Sequence, residues 1–131
     1  MNKKTERIFS VLEDVAAGIE RVANARIAAA VVYKNNIVSV GTNQWKTHPF
    51  QAQHAHHEEA IYWHAENNAI HNALKRYSPD ELSKSSIYVC RIDQRRRPCL
   101  AKPCDGCMKA ITKFKLKSVV FTTESSIQTI G

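Results

Sequence analysis

The chain has 131 residues and a formal net charge of +7, a length suited to a single domain, residues 1–131, with one core. No apolar run approaches the roughly 20 residues that span a bilayer, and the charged start Met1-Asn2-Lys3-Lys4-Thr5-Glu6-Arg7 is unlike a secretory signal. A cytoplasmic protein without a membrane partner is therefore expected, with reduced thiols, although a disulfide between Cys90 and Cys99 stays open. The charge is unevenly spread: residues 1–74 hold seven Lys/Arg and seven Asp/Glu, and residues 75–131 hold twelve against five. Arg95-Arg96-Arg97 is the densest point. Beside a catalytic entrance such a field would attract phosphorylated substrates or nucleic acid; the alternative is a solvated basic face.

The elements follow in chain order. Lys4 to Val22 carries Ile8, Val11, Leu12, Val15, Ala16, Ile19 and Val22 at helical period, one apolar stripe. Ile27–Tyr33 and Ile37–Gly41 read as strands joined by a turn at Lys34-Asn35-Asn36, where Asn suits positive φ. Residues 44–57 form a polar loop. Ile61 to Tyr77 is helical in pattern and Ser78-Pro79 ends it. Ser86–Ile92 is a β-branched strand and Asp93–Pro103 a basic loop. Cys104 to about Lys115 forms another helix, Ser118–Thr122 a strand, and the tail from Thr123 a short edge strand. The order α-β-β-α-β-α-β predicts an α/β fold with a mixed central sheet covered by helices on both faces.

The chemistry lies in His64-Ala65-Glu66 and Pro103-Cys104-Asp105-Gly106-Cys107. Imidazole and thiolate ligands in a tetrahedron suit zinc, and three protein ligands leave a fourth position for water, as in catalytic sites. Cys104 and Cys107 can reach one ion from a single turn, with His64 as the third ligand. Glu66 is then a carboxylate not needed for coordination. Alone, a Cys-x-x-Cys could be half a zinc knuckle or a redox pair.

Together the two segments resemble the zinc-dependent cytidine/deoxycytidylate deaminase superfamily, whose signature is His-x-Glu followed by Pro-Cys-x-x-Cys. His64 to Ile70 resembles its first motif, Pro103 to Ile111 its second, and Gly41-Thr42-Asn43 its substrate-binding strand end. The order of elements fits from about Ala25 to Thr122. The resemblance implies a three-layer α/β/α fold in which the two motifs open successive helices on one side of the sheet. It implies Zn2+ on His64, Cys104 and Cys107, and hydrolytic deamination of a cytosine nucleotide or nucleoside, foremost dCMP to dUMP. Zinc makes hydroxide available near pH 7, and Glu66 would shuttle the proton from water to the pyrimidine N3. A homo-oligomer is expected on the same ground.

Substrate-binding candidates are Asn43, Ala65 and Lys102, with Trp45, Lys46, His48 and Phe50 in the loop. Asn43 would hydrogen-bond sugar or base, its alternative being a turn cap. Trp45 and Phe50 could stack on the base. This loop is polar and His-rich where deoxycytidylate deaminases usually carry a Gly/Pro-rich segment. His48, His54, His56 and His57 could hold a second metal, although solvated loop histidines are commoner. His71, two helical turns after His64, reads as a satisfied histidine and not a ligand. Two other functions remain: deamination of cytosine or adenine in single-stranded nucleic acid, favoured by the net charge, and a catalytically silent zinc-stabilised module, disfavoured by the intact Glu66.

Overall fold

A computed structural model describes residues 2–19, 26–44 and 64–131. Its elements are α1 (Lys3–Ala17), β1 (Arg26–Tyr33), β2 (Asn36–Thr42), α2 (Ala65–Leu74), α3 (Pro79–Leu82), β3 (Ser86–Ile92), β4 (Pro98–Cys99), α4 (Asp105–Lys113), β5 (Ser118–Thr122) and β6 (Ile127–Ile130). The sheet runs β2-β1-β3-β5-β6, with β4 paired to β3 beside this path. Only β3 and β5 pair in parallel; β2–β1, β1–β3, β3–β4 and β5–β6 are antiparallel. The expected mixed sheet is present.

Strands β1 and β3 are buried on both faces because side chains alternate along them. Ala28, Ala30, Val32, Tyr88, Cys90 and Ile92 meet Ile8, Phe9, Leu12 and Ala16 of α1. Ala29, Val31, Ile87 and Val89 face the other way, onto Ala69, Ile70 and Ala73 of α2 and Ala110 and Ile111 of α4. Helices thus cover both faces, and the two that carry the motifs share one face.

Several boundaries differ from the expected ones. Helix α1 ends at Ala17, with Gly18 as its C-cap, because glycine propagates a helix poorly; residues 20–22, the end of the predicted helix, lie outside the described residues. Asn36 belongs to β2, and the turn is made by Lys34 and Asn35, both at positive φ (49° and 68°). Two such residues in a two-residue hairpin match the twist of the flanking strands. The basic loop contains β4, and Ser78 caps α3 with a reciprocal Ser78–Glu81 capping box. Strand β6 confirms the edge strand expected in the tail.

Helix α2 lies against the edge strand β2 at Gly41. A Cβ there would fall well inside van der Waals distance of the Ala69 nitrogen and the Ala65 oxygen, and 2.8 Å from the Asn68 carbonyl carbon. Three polar ties hold this approach: Thr42 N–H donates to Asn68 Oδ1 (3.0 Å), Asn72 Nδ2 to Val40 O (3.0 Å) and Ser39 Oγ to Ala69 O (2.8 Å). The first turn of α2 is thereby placed at the C-terminal ends of β2 and β3. Among the described residues no helix is long and apolar enough to cross a membrane.

Candidate metal centre

His64 is the N-cap of α2 and Cys104 the N-cap of α4, both with extended backbone. Neither uses its side chain to cap its helix, so imidazole and thiol are directed at each other across the two helix ends. Cys107 follows in the first turn of α4. His64 Nδ1 lies 3.5 Å from Cys104 Sγ and 3.3 Å from Cys107 Sγ, and all three ligand atoms fall within 4.8 Å of one another. Zn–S bonds of 2.3 Å and Zn–N bonds of 2.0–2.1 Å at the tetrahedral angle would set N and S about 3.6 Å apart. The donor set and its spacing therefore fit a zinc ion.

The electrostatics agree. The Cys104 thiol is drawn down to about 3, chiefly by its hydrogen bond with the Cys107 thiol and further by His64. Its thiolate in turn raises His64, through their hydrogen bond above all. Cys107 is pushed up by the same Cys104 contact and by burial, so one thiolate is ready and the second needs a cation to form. Glu66, 6 % exposed, has its carboxyl raised above the ordinary range by burial, with the nearby His64 opposing. A buried carboxyl beside a metal-ligand triad is placed to exchange a proton with a ligand water.

Residues 2–123 match the family profile of the cytidine and deoxycytidylate deaminase zinc-binding region. The chain belongs to this family. Among solved structures, cytidine deaminase from Burkholderia pseudomallei is similar over 100% of this chain and 93% of its own, at 17% identity and TM-score 0.69. The apo dCMP deaminase of cyanophage S-TIM5 is similar over 92% and 84%, at 19% identity and TM-score 0.63. The diaminohydroxyphosphoribosylaminopyrimidine deaminase/5-amino-6-(5-phosphoribosylamino)uracil reductase of Thermotoga maritima matches at 22% identity and TM-score 0.59, over 90% of this chain but 29% of its own. At these identities the likeness establishes the deaminase fold. A comparison with curated protein sequences found no match.

The other candidate residues are spread around this centre. Asn43 follows β2 and is buried; its Oδ1 accepts from Ile27 N–H at 3.0 Å, which ties the end of β2 to the start of β1 and fixes the carboxamide. Ala65 is fully buried under the first turn of α2. Lys102 is exposed two residues before Cys104. Trp45, Lys46, His48, Phe50 and the remaining loop histidines lie outside the described residues. His71 stands in the last turn of α2, away from the ligand cluster. Cys90 and Cys99 are both free thiols. Sequence reasoning missed the ties made by Ser39 and Asn72; the signal was present as Asn68 and Asn72, carboxamides four apart on one helix.

The basic run Arg95–Arg97 is exposed, in line with the solvated-face alternative. Asp93 Oδ1 accepts from the backbone N–H of Arg95 and Arg97, and its Oδ2 pairs with Arg97 Nε at 2.8 Å. Arg96 pairs with Asp14 at 2.7 Å and Glu13 at 3.4 Å, on α1 and thus across the sheet from the metal ligands. Among the described residues the end of the molecule holding the metal centre carries Arg26, Arg91, Arg95–Arg97 and Lys102. Against these six stand Glu13, Asp14, Glu66, Asp93, Asp105 and Glu124. Among the described residues, two of the three arginines of the run are paired with acids, Arg97 with Asp93 of its own loop and Arg96 with Asp14 and Glu13 of α1.

Proposed function

We propose that the chain is a zinc-dependent deaminase of cytosine nucleotides or nucleosides, with dCMP as the favoured substrate and dUMP and ammonia as products. The observation that carries this reading is the convergence of His64, Cys104 and Cys107 with a buried Glu66 against them. His64 Nδ1 and the two Sγ atoms would hold Zn2+. When bound, the ion supplies Lewis acidity and lowers the pKa of a water toward neutrality.

Glu66 does the proton work. Its carboxylate takes a proton from the attacking water and delivers it to the pyrimidine N3 as water oxygen adds to C4. The carboxyl then assists departure of the 4-amino group as ammonia, so water replaces the amine and no redox partner is needed. Burial raises the Glu66 pKa, the direction that suits a carboxyl which must both take and return a proton. Asn43, held by Ile27, would present its carboxamide to sugar or base, and Ala65 would offer main-chain contacts beside Glu66. Lys102, with Trp45, Lys46, His48 and Phe50 of the loop, would complete the substrate contacts.

The preference for dCMP draws on the cyanophage S-TIM5 enzyme, solved with dCMP and dUMP, which is similar to this chain at 19% identity and TM-score 0.56. Pairing of Arg96 and Arg97 with acids weakens the case for a polynucleotide substrate at the metal centre itself. A cytoplasmic homo-oligomer built from this one domain completes the reading. The test is ammonia release by zinc-loaded protein from cytosine, deoxycytidine, cytidine, dCMP, CMP, dCTP and a cytosine-containing single strand. Turnover of dCMP above deoxycytidine is expected. Turnover confined to the oligonucleotide, or none with zinc bound, would overturn the assignment.

A further inference from the structure

The basic excess of this chain gathers at the end of the sheet opposite the metal centre. The β1–β2 turn and the starts of β3 and β5 lie there, as their registers require. Helices α2 and α4 run from the metal centre toward this pole and end at it. Helix α1 begins there: Arg7 donates to Asn35 O in the hairpin turn, whereas Ala17 O accepts from Arg26 at the other end. Lys75 and Arg76 follow α2, and Lys84 follows α3. Lys113, Lys115 and Lys117 close α4 and lead into β5, Lys34 tips the hairpin, and Lys3, Lys4 and Arg7 start α1. These ten face three described acids at the same pole, Glu6, Asp80 and Glu81.

Local structure does not account for them. Cations at the ends of α2 and α4 complement the helix dipole, but one or two per helix suffice, and Lys3 and Lys4 sit in a first turn where the dipole disfavours them. Among the described residues the ion pair at this pole is Lys84–Asp80, 3.3 Å and exposed, a contribution of at most about 1 kcal/mol. The cations are not neutralised within the fold.

We propose that this pole is a docking surface for single-stranded nucleic acid, separate from the metal centre. Two observations select that partner. Lys117 N–H donates to Ser85 O at 2.9 Å, which brings the segment of the exposed Lys115 and Lys117 next to that of the exposed Lys84, a grouping of cations that suits a phosphodiester backbone. At the same pole Tyr33 and Tyr77, both partly exposed and Tyr77 also packed on the core, meet edge to face at 6.2 Å, with Lys34 Nζ 5.3 Å from the Tyr33 ring centre. Aromatic rings interleaved with cations are the platform on which unpaired bases stack. An anionic membrane fits less well: among the described residues the exposed large apolar side chains are Val11, Leu100 and Ile130, and of these Ile130, paired with Val119, is the one at this pole.

The test is fluorescence anisotropy with labelled dT20, which has no amino-bearing base and so is not a deamination substrate. Binding should weaken steeply with salt, with a log–log slope of about −3 to −4 if five phosphates are contacted at about −0.7 each. The variant Lys75→Glu/Arg76→Glu/Lys115→Glu/Lys117→Glu should bind at least tenfold more weakly and keep the mononucleotide turnover of the wild type. The milder Lys75→Gln/Lys117→Gln should shrink the slope by about 1.4, which keeps the test decisive should charge reversal impair folding. Arg95→Gln/Lys102→Gln, at the metal-centre end, should bind dT20 as the wild type does. Absence of binding at 50 mM salt would overturn the proposal, as would equal loss in the metal-end variant. Binding to phosphatidylserine vesicles without binding to dT20 would also overturn it and assign the pole to a membrane surface.

Discussion

Replacing Gly41 by alanine should dislodge the metal centre without touching a single metal ligand. The added Cβ would lie inside van der Waals distance of main-chain atoms of Ala65, Asn68 and Ala69. Helix backbone cannot rotate away as a side chain can, so α2 must shift off β2. Overpacking of this kind costs about 1–3 kcal/mol. The shift also strains three hydrogen bonds, Thr42–Asn68, Asn72–Val40 and Ser39–Ala69, at about 1 kcal/mol for each one lost. A total near 3 kcal/mol corresponds to a Tm lowered by about 10 °C for a chain of this size. Because His64 and Glu66 ride on the displaced turn, zinc occupancy and turnover should fall with stability. Urea denaturation and metal analysis read both effects. Gly18→Ala is the control: its nearest neighbours would be 3.6 Å and 3.7 Å away at an ordinary φ, so its stability should change by no more than about 1 kcal/mol. If Gly41→Ala matched Gly18→Ala in midpoint and zinc content, the inferred contact between β2 and α2 would be wrong.

Other consequences are measurable. Removing zinc with a chelator, or replacing Cys104 or Cys107 by serine, should abolish turnover and lower the Tm, with activity restored by added zinc in the chelated wild type alone. The Asp93 carboxyl is held below its usual range, first by backbone donation from Arg97. Its folded pKa lies below the unfolded value near 3.9, so its stabilising effect is complete above that value and is lost as pH falls through the folded pKa. Asp93→Asn should therefore reduce stability at neutral pH and flatten the acid limb below about pH 4, as denaturation midpoints across pH would show. Cys90, raised to about 12 chiefly by burial, should resist thiol reagents at pH 8, whereas the partly exposed Cys99 should react. In zinc-loaded protein one fast thiol is expected, and Cys99→Ser should remove it; two fast thiols in the wild type would contradict this.

Much of the metal centre was legible because its ligands are local in sequence. Cys104 and Cys107 span one helical turn, and His64-Ala65-Glu66 opens another helix. Their meeting required only that both helices start at one end of one sheet face, which the family resemblance implied. Less legible were features that depend on register. Gly41 looked like a strand end, and its close approach to α2 emerges only when β2 is paired and covered. The two-residue β4 has too few residues for a period, and α3 is a single turn. Charge misled most. Sequence placed the excess in the second half and drew attention to Arg95–Arg97, but folding sets those arginines against Asp93, Glu13 and Asp14. Lysines distant in sequence, such as Lys34, Lys75 and Lys117, are brought to one pole because helices α2 and α4 and the hairpin all end there.

The central claim is that Glu66 moves protons at a zinc site built by His64, Cys104 and Cys107. Glu66→Gln keeps the size and burial of the side chain and removes its acid–base capacity. Metal analysis and ammonia release from dCMP on the same purified sample test it directly. One zinc per chain with turnover reduced at least a thousandfold is the predicted result. One zinc per chain with turnover near that of the wild type would contradict the account.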